Sequence, residues 1–136
     1  MPISYDDRRT ITTAEFIDLM KRSTLAERRP IEDTEAMGEM IANTNLLCTA
    51  WDGEKLVGIA RSLTDFAYSC YLADLAIDAA YQRRGIGREL IRRTQARLGP
   101  YTKIILLAAP KAVGYYGKIG FDPHPSAWTL PRDRSV

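Results

Sequence analysis

Residues 81–90 read YQRRGIGREL, Tyr81 to Leu90, and set two glycines one residue apart among arginines. Downstream, Ile86, Leu90, Ile91, Thr94 and Leu98 recur at helical spacing, so a helix is predicted from about Ile86 onward and is ended by Gly99-Pro100. Upstream, "YLADLAI" (71–77) reads as a strand. A strand, a short glycine loop and a helix start make an anion site: the first N–H groups of a helix point outward and carry partial positive charge. Glycine removes the Cβ that would keep an oxygen away. Arg83, Arg84 and Arg88 stand where they can add charge-assisted hydrogen bonds. A tight turn before an ordinary surface helix is the plainer reading of the same residues. Arg92, Arg93 and Arg97 fall on the outward side and read as a solvated face.

Two familiar phosphate loops do not fit. A dinucleotide fingerprint needs a third glycine where Leu90 stands, together with an opening βαβ unit. A Walker loop needs Gly-Lys-Ser/Thr, which this loop does not contain. Composition narrows the class further. The 136 residues carry 46% hydrophobic and 26% charged side chains and a formal charge of +2, a profile of one globular domain over 1–136. Between Arg83 and Arg97 there are six arginines and one acid, Glu89, yet the remainder of the chain is net acidic, which argues against a nucleic-acid binder. Cys48 and Cys70 lack metal-ligand spacing and read as reduced strand residues, with no metal expected. The N-terminal residues hold no signal-like apolar stretch, and the run from Ile104 to Pro110 is far short of the roughly 20 residues of a membrane span, so a cytoplasmic protein without membrane partners is expected.

Working outward, "SYDDRRTITTAEFIDLMKRS" predicts a short edge strand and a helix capped by Thr12 or Thr13. "RRPIEDTEAMGEMIANT" predicts a second helix, weakened by Gly38. "LLCTAWDGEKLVGIARSL" predicts a hairpin around Asp52-Gly53, and a third strand follows. "KIILLAA" is apolar enough for a buried strand, "KAVGYYGKIG" for a short helix, and "FDPHPSAWTL" for a closing loop and strand. The fold class is α/β (α+β), a mixed sheet with helices on its faces.

At this point the chain resembles the GNAT superfamily of acyl-CoA-dependent N-acetyltransferases. One signature, Gln/Arg-x-x-Gly-x-Gly/Ala after a strand, matches Gln82-Arg83-Arg84-Gly85-Ile86-Gly87. A second, an aromatic-Tyr pair before Gly-Phe, matches "YYGKIGF" from Tyr115 to Phe121. The resemblance spans about Leu46 to Phe121 and implies a mostly antiparallel sheet with a splayed strand pair. It implies acetyl-CoA as cosubstrate, with its pyrophosphate on the amides of Arg84 to Arg88 and its pantetheine arm on the backbone of Leu75, Ala76 and Ile77. Which arginine meets the 3′-phosphate stays open.

The implied reaction is direct attack of a primary amine on the thioester in a ternary complex. By resemblance, Tyr116 is the proton donor toward the sulfur, with packing as the alternative, and Tyr115 is its packing neighbour. Asp74 lies where relatives place a carboxylate that meets the amine; base, substrate anchor and structural Asp all stay open. "YLAD" resembles the Tyr-Leu-Glu-Asp run of polyamine acetyltransferases, but Ala73 replaces the glutamate. His124, between prolines, reads as an exposed bystander. Asp65, Phe66, Tyr68 and Trp128 are candidate acceptor contacts. A small amine is expected over a protein acceptor, and a homodimer is left open. The rival from another class is a non-catalytic acyl-CoA-binding sensor.

Overall fold

A computed structural model describes residues 2–136. The chain divides into two compact units, the first ending at Leu106 and the second spanning Leu107–Val136. The first holds a five-stranded sheet in the order β1-β2-β3-β4-β5. Its strands are β1 Ser4–Asp6, β2 Leu46–Asp52, β3 Lys55–Thr64, β4 Ser69–Ile77 and β5 Lys103–Ile105. Neighbours run antiparallel except β4 and β5, which are parallel. Helix α1 (Thr13–Arg22) and α2 (Thr34–Ala42) precede β2, and α3 (Ile86–Ala96) joins β4 to β5. The hairpin forms as its Asp-Gly signal requires, with Asp52 paired to Lys55.

Opposite faces of the sheet carry different helices. Arg61 of β3 lies under Phe16 of α1, whereas Gly58, three residues earlier and therefore on the other face, lies under α3. A Cβ at Gly58 would sit 3.0 Å from Ile77 Cδ1, 3.2 Å from Leu90 Cδ1 and 3.3 Å from Ile86 Cγ2. The glycine thus lets α3 seat its apolar face directly on β3. Ile86, Leu90 and Ile91 are buried there, each such side chain contributing about 1.5–3 kcal/mol. Phe16, Leu19, Met20 and Met37 fill the α1/α2 side.

The register of β4 carries an irregularity that the sequence does not announce. Arg61 pairs with Asp74 but Ser62 pairs with Leu72, so Ala73 is one residue in excess, a β-bulge. Cys70 and Leu72 therefore face α3, while Asp74 and Ala76 face α1, although all four share one parity and all four are buried. Past the bulge the sheet edge opens. β5 pairs only with Ser69–Tyr71, so "KIILLAA" yields a three-residue, partly exposed strand instead of the buried one expected. Ile104 is half-buried and Ile105 is 52% exposed.

The second unit contains α4, Val113–Lys118, entered through a turn at Pro110–Ala112. The expected closing strand does not form: no strand is present among the described residues beyond Ile105. Pro123, Pro125 and Pro131 bracket that segment, and each lacks the N–H that a sheet ladder needs.

Candidate functional site

The open edge of β4 has a defined polarity. Asp78 N–H donates to Val57 O at 2.8 Å. By the alternation of an antiparallel ladder, the 59/76 and 61/74 pairs are then also hydrogen-bonded. Leu75 and Ile77 turn their N–H and C=O groups the other way, to the side that β5 has left. Of the three residues expected to offer backbone there, Leu75 and Ile77 do so; Ala76 is spent on β3. Gln82 Nε2 donates to Ile77 O at 3.4 Å, a carbonyl free to accept it.

At the end of this edge the chain turns into α3, and the helix start is left uncapped. Helix α1 is closed by Thr12 and Glu15 in a reciprocal capping box, and α2 by Asp33, which accepts from Ala36 N–H at 3.0 Å. Helix α3 has Gly85 at the cap position, with φ +76° and no side chain to turn inward. Glu89 N–H bonds Gly85 O at 3.1 Å, so the N–H groups of Ile86, Gly87 and Arg88 are the orphans. A Cβ built on Gly85 meets nothing within 4 Å, so the space beside these donors is open. Arg83 also holds a left-handed backbone, φ +65°, which costs a non-glycine residue about 1–2 kcal/mol. The Ile86 side chain is buried under Gly58; only its backbone belongs to the loop.

Polar anchors hold the loop in place. Asp78 accepts from Ala80 N–H at 2.8 Å and pairs with Arg22 of α1, which also bonds Leu56 O. Burial pushes the Asp78 carboxyl up, but the Ala80 and Arg22 bonds outweigh it and hold the group below its ordinary value. Tyr81 donates to Asp52 Oδ2 at 2.6 Å, a bond that raises its phenol further than burial does. Neither anchor was identified in the sequence. Asp78 carried a signal, a turn-forming Asp two residues before the N–H it caps; the Tyr81–Asp52 contact, 29 residues apart, carried none.

The six arginines sort into two sets. Arg83 and Arg88 make no side-chain hydrogen bond or ion pair among the described residues, and Arg84 makes one long bond, 3.5 Å, to Ala80 O. Arg92 and Arg93 both close on Glu89, at 2.6 and 2.7 Å, and hold its carboxyl down at about 2. Arg93 also covers the Tyr5 ring, and Arg97 bonds Asp7 O at 3.0 Å. The outward row is therefore a set of staples on the β1 arm and on Glu89, more than a solvated face.

Asp74 is fully buried, its side chain 0% exposed, with one oxygen on Arg29 Nε at 2.6 Å and the other on Arg61 Nε. This geometry is that of the structural alternative: both oxygens are engaged by guanidinium groups, and none is turned to an incoming amine. Asp65, Phe66 and Tyr68 lie in the turn before β4, at the far end of that strand from Gln82–Arg88. Asp65 accepts from the N–H groups of Tyr68, Ser69 and Ala67, which hold its carboxyl low; Phe66 O accepts from Gly99 N–H. These contacts build the turn.

In the second unit, Tyr116 packs edge-on against Tyr115 (5.3 Å) and Phe121 (5.5 Å). Burial, then the neighbouring Tyr115, raises its phenol above the ordinary value, so it stays a donor at neutral pH. Trp128 is 92% exposed. His124 is exposed, and its Nδ1 accepts from Ser126 N–H. Among the described residues no group of three or more His, Cys, Asp or Glu could hold a metal ion, and no helix is long and apolar enough to cross a membrane.

Similarity to known proteins points the same way as this geometry. Over 81 residues the chain is 32% identical to the chloroplastic GCN5-related N-acetyltransferase 2 of Arabidopsis thaliana, covering 54% of this chain and 31% of that protein. The matched stretch is about a third of the length of the first curated relatives. A GNAT-family acetyltransferase from Streptococcus pneumoniae superposes with TM-score 0.78 at 20% identity, covering 97% of this chain and all of that one. An aminoglycoside acetyltransferase from an uncultured soil metagenomic sample, solved with sisomicin, superposes at 0.68 and 18% identity over 98% and 97%. The model of the acetyltransferase (GNAT) domain matches residues 19–128. That match takes in most of the chain: the protein belongs to the GNAT acetyltransferase family.

Proposed function

We propose that the protein is an acetyl-CoA-dependent N-acetyltransferase for a primary amine on a small molecule, working in the cytoplasm as a single catalytic domain over 1–136. The observation that carries the reading is the uncapped α3 start beside an unpaired strand edge. Three orphan N–H groups, open space at Gly85 and two unpartnered guanidinium groups, Arg83 and Arg88, suit a diphosphate. The groups of Leu75 and Ile77 suit an extended amide-bearing arm added as a further strand. Bound acetyl-CoA supplies the acetyl group as an activated thioester.

In this reading the chain's own residues do three things. The side chains of Gln82, Arg83, Arg84 and Arg88 and the amides of Ile86, Gly87 and Arg88, with Gly85 leaving the space open, hold the phosphate end. Leu75 N–H orients and polarises the carbonyl that the amine attacks. Tyr116 holds a proton at its hydroxyl for the sulfur that departs as the new C–N bond forms; its raised phenol keeps that proton in place until it is needed. The amine's surplus proton leaves to water, because Asp74 has no free oxygen to take it. Acceptor contacts from Asp65, Phe66, Tyr68 and Trp128 have less support, since the first three build a turn.

The test combines binding with turnover. Coenzyme A at about 100 times its dissociation constant should stabilise the fold by about 2.7 kcal/mol, read as a rise in Tm. A panel of small amines, followed by release of free thiol, should then show transfer, and Tyr116→Phe should lower kcat by about 10²-fold with coenzyme A affinity kept. Stabilisation without turnover on any amine would leave the sensor reading; no stabilisation would end both.

A further inference from the structure

Residues 23–33 link α1 to α2, and one guanidinium from this link reaches across to the strand that carries the open edge. Arg29 donates through Nε to Asp74 Oδ1 at 2.6 Å and through Nη2 to Ala73 O at 2.9 Å. Its Nη1 turns back to Arg28 O, also at 2.9 Å, which fixes the direction of the fork. Ala73 is the residue that β4 carries in excess. An inserted residue falls out of the ladder, so its carbonyl, here half-buried, must find a donor outside it. Arg29 is that donor. A planar guanidinium with donors on two edges can hold a backbone oxygen and the next residue's carboxylate at once, which a lysine cannot.

The peptide between Ala73 and Asp74 is gripped from the opposite side as well. Arg61 of β3 takes the second Asp74 oxygen and is itself held by Met40 O and Thr44 Oγ1, each at 3.3 Å. The bulge is thus pinned between a loop, a helix end and a neighbouring strand. One residue further on stands Leu75, the first past the bulge to turn its N–H and C=O to the open edge. If the extra residue were absorbed into the ladder, β4 beyond it would slip by one position against β3, and the groups facing that edge would be exchanged for those facing β3.

We propose that Arg29 is a positioning residue for the transfer step: it fixes the register of the bulge, so that Leu75 N–H, and not a neighbour, faces the open edge of β4. The proposal rests on the reading of that edge as the seat of the acyl-bearing arm. It assigns the α1–α2 link a part in catalysis through the backbone of β4, with no contact of Arg29 to substrate.

The test uses the full chain with Arg29→Gln and Arg29→Lys. In both, Asp74 keeps Arg61, so no buried carboxylate is stranded; the lysine also keeps the charge and loses only the fork. Amide hydrogen exchange followed by mass spectrometry should show the segment 73–77 exchanging about tenfold faster while α3 stays protected. With an accepted amine, kcat should fall by about 10–100-fold, and the affinity for coenzyme A should hold within about threefold, because the phosphate loop is a separate anchor. Unchanged kcat in a folded variant overturns the proposal. So does a fall in Tm, affinity and kcat together with faster exchange across the whole sheet, the result of a merely structural pair. Should the wild type transfer to no amine, exchange alone decides: local acceleration upholds the clamp and moves the failure to the functional reading, and uniform exchange sinks the clamp. Where Arg29→Gln does not fold, Arg29→Lys gives the same readings.

Discussion

The two ends of α3 carry the same residue type and use it in opposite ways. Near the start, beside uncapped N–H groups, Arg83 and Arg88 are exposed and make no hydrogen bond or ion pair among the described residues. A turn later, Arg92, Arg93 and Arg97 are consumed by Glu89, Tyr5 and Asp7. Local charge density does not separate the two sets, since both belong to the same arginine-rich stretch. What separates them is the supply of partners. The β1 arm lies along the later turns and offers an acid and an aromatic ring, whereas the only acid on the helix, Glu89, already serves two guanidinium groups. The lesson is that arginines stay available to an outside anion where the fold withholds its acids, and become staples where it supplies them.

The strongest way to break this contrast is at the glycine that keeps the start open. Gly85→Val asks a β-branched residue to hold φ +76°, at about 1–2 kcal/mol of backbone strain. It also puts two methyl groups into the space beside the orphan donors. Coenzyme A affinity should fall by about 10²-fold or more, about 2.7 kcal/mol, measured by calorimetry. Retained affinity in this variant would show that the diphosphate seat lies elsewhere.

A finer test sets one arginine of each kind against the other. Arg88→Ala removes a guanidinium with no partner in the fold, so its cost belongs to binding: about tenfold in coenzyme A affinity, with a weaker salt dependence and Tm unchanged. Arg97→Ala removes a staple, so its cost belongs to stability: a lower Tm, about 1 kcal/mol or less for a surface contact of this kind, with affinity kept. If the two variants exchanged these signatures, the division of the cluster would be wrong.

The same division marks what could be read in the sequence. Local chemistry announces itself: Asp52-Gly53 as a hairpin, Thr12 or Thr13 as a cap, of which Thr12 serves, Gly85 as a turn before a helix, and the apolar stripe Ile86-Leu90-Ile91 as the seat of α3. These depend on residues within a few positions of each other. Asp74 shows the other case. Its identity left base, substrate anchor and structural Asp all open, and its partners are Arg29 and Arg61, 45 and 13 positions away. The bulge at Ala73 has no glycine or proline to mark it; it exists because the register of β3 against β4 changes there. The "KIILLAA" run was hydrophobic enough for a buried strand, but a strand also needs a neighbour, and β4 provides one for only three residues. The glycine turn and the open helix start were therefore legible, and the partners of Asp74 were not. Amide donors and glycines are local, while an acceptor pocket is assembled from distant turns.

Glu89 gives the smallest expected effect and ties the two sets together. A carboxylate in the first turn of α3 suits the helix dipole but would repel a phosphate at the same helix start. Arg92 and Arg93 answer this by pairing with it and holding its carboxyl at about 2. A carboxyl whose folded value is depressed adds stability above its ordinary value, near 4.5, and loses it as the pH falls toward 2. Because the Glu89 side chain is about a quarter exposed, screening limits the gain to that of a surface network, about 0.5 kcal/mol. Thermal melts of the wild type and Glu89→Gln should accordingly differ by a degree or two at pH 7, about the scale of such pairs, and converge between pH 4.5 and 2. A gap that held constant through that range would mean that Arg92 and Arg93 do not depend on the charge of Glu89. They would then be free to join Arg83 and Arg88, and the boundary between anion site and staple would shift a full turn along the helix.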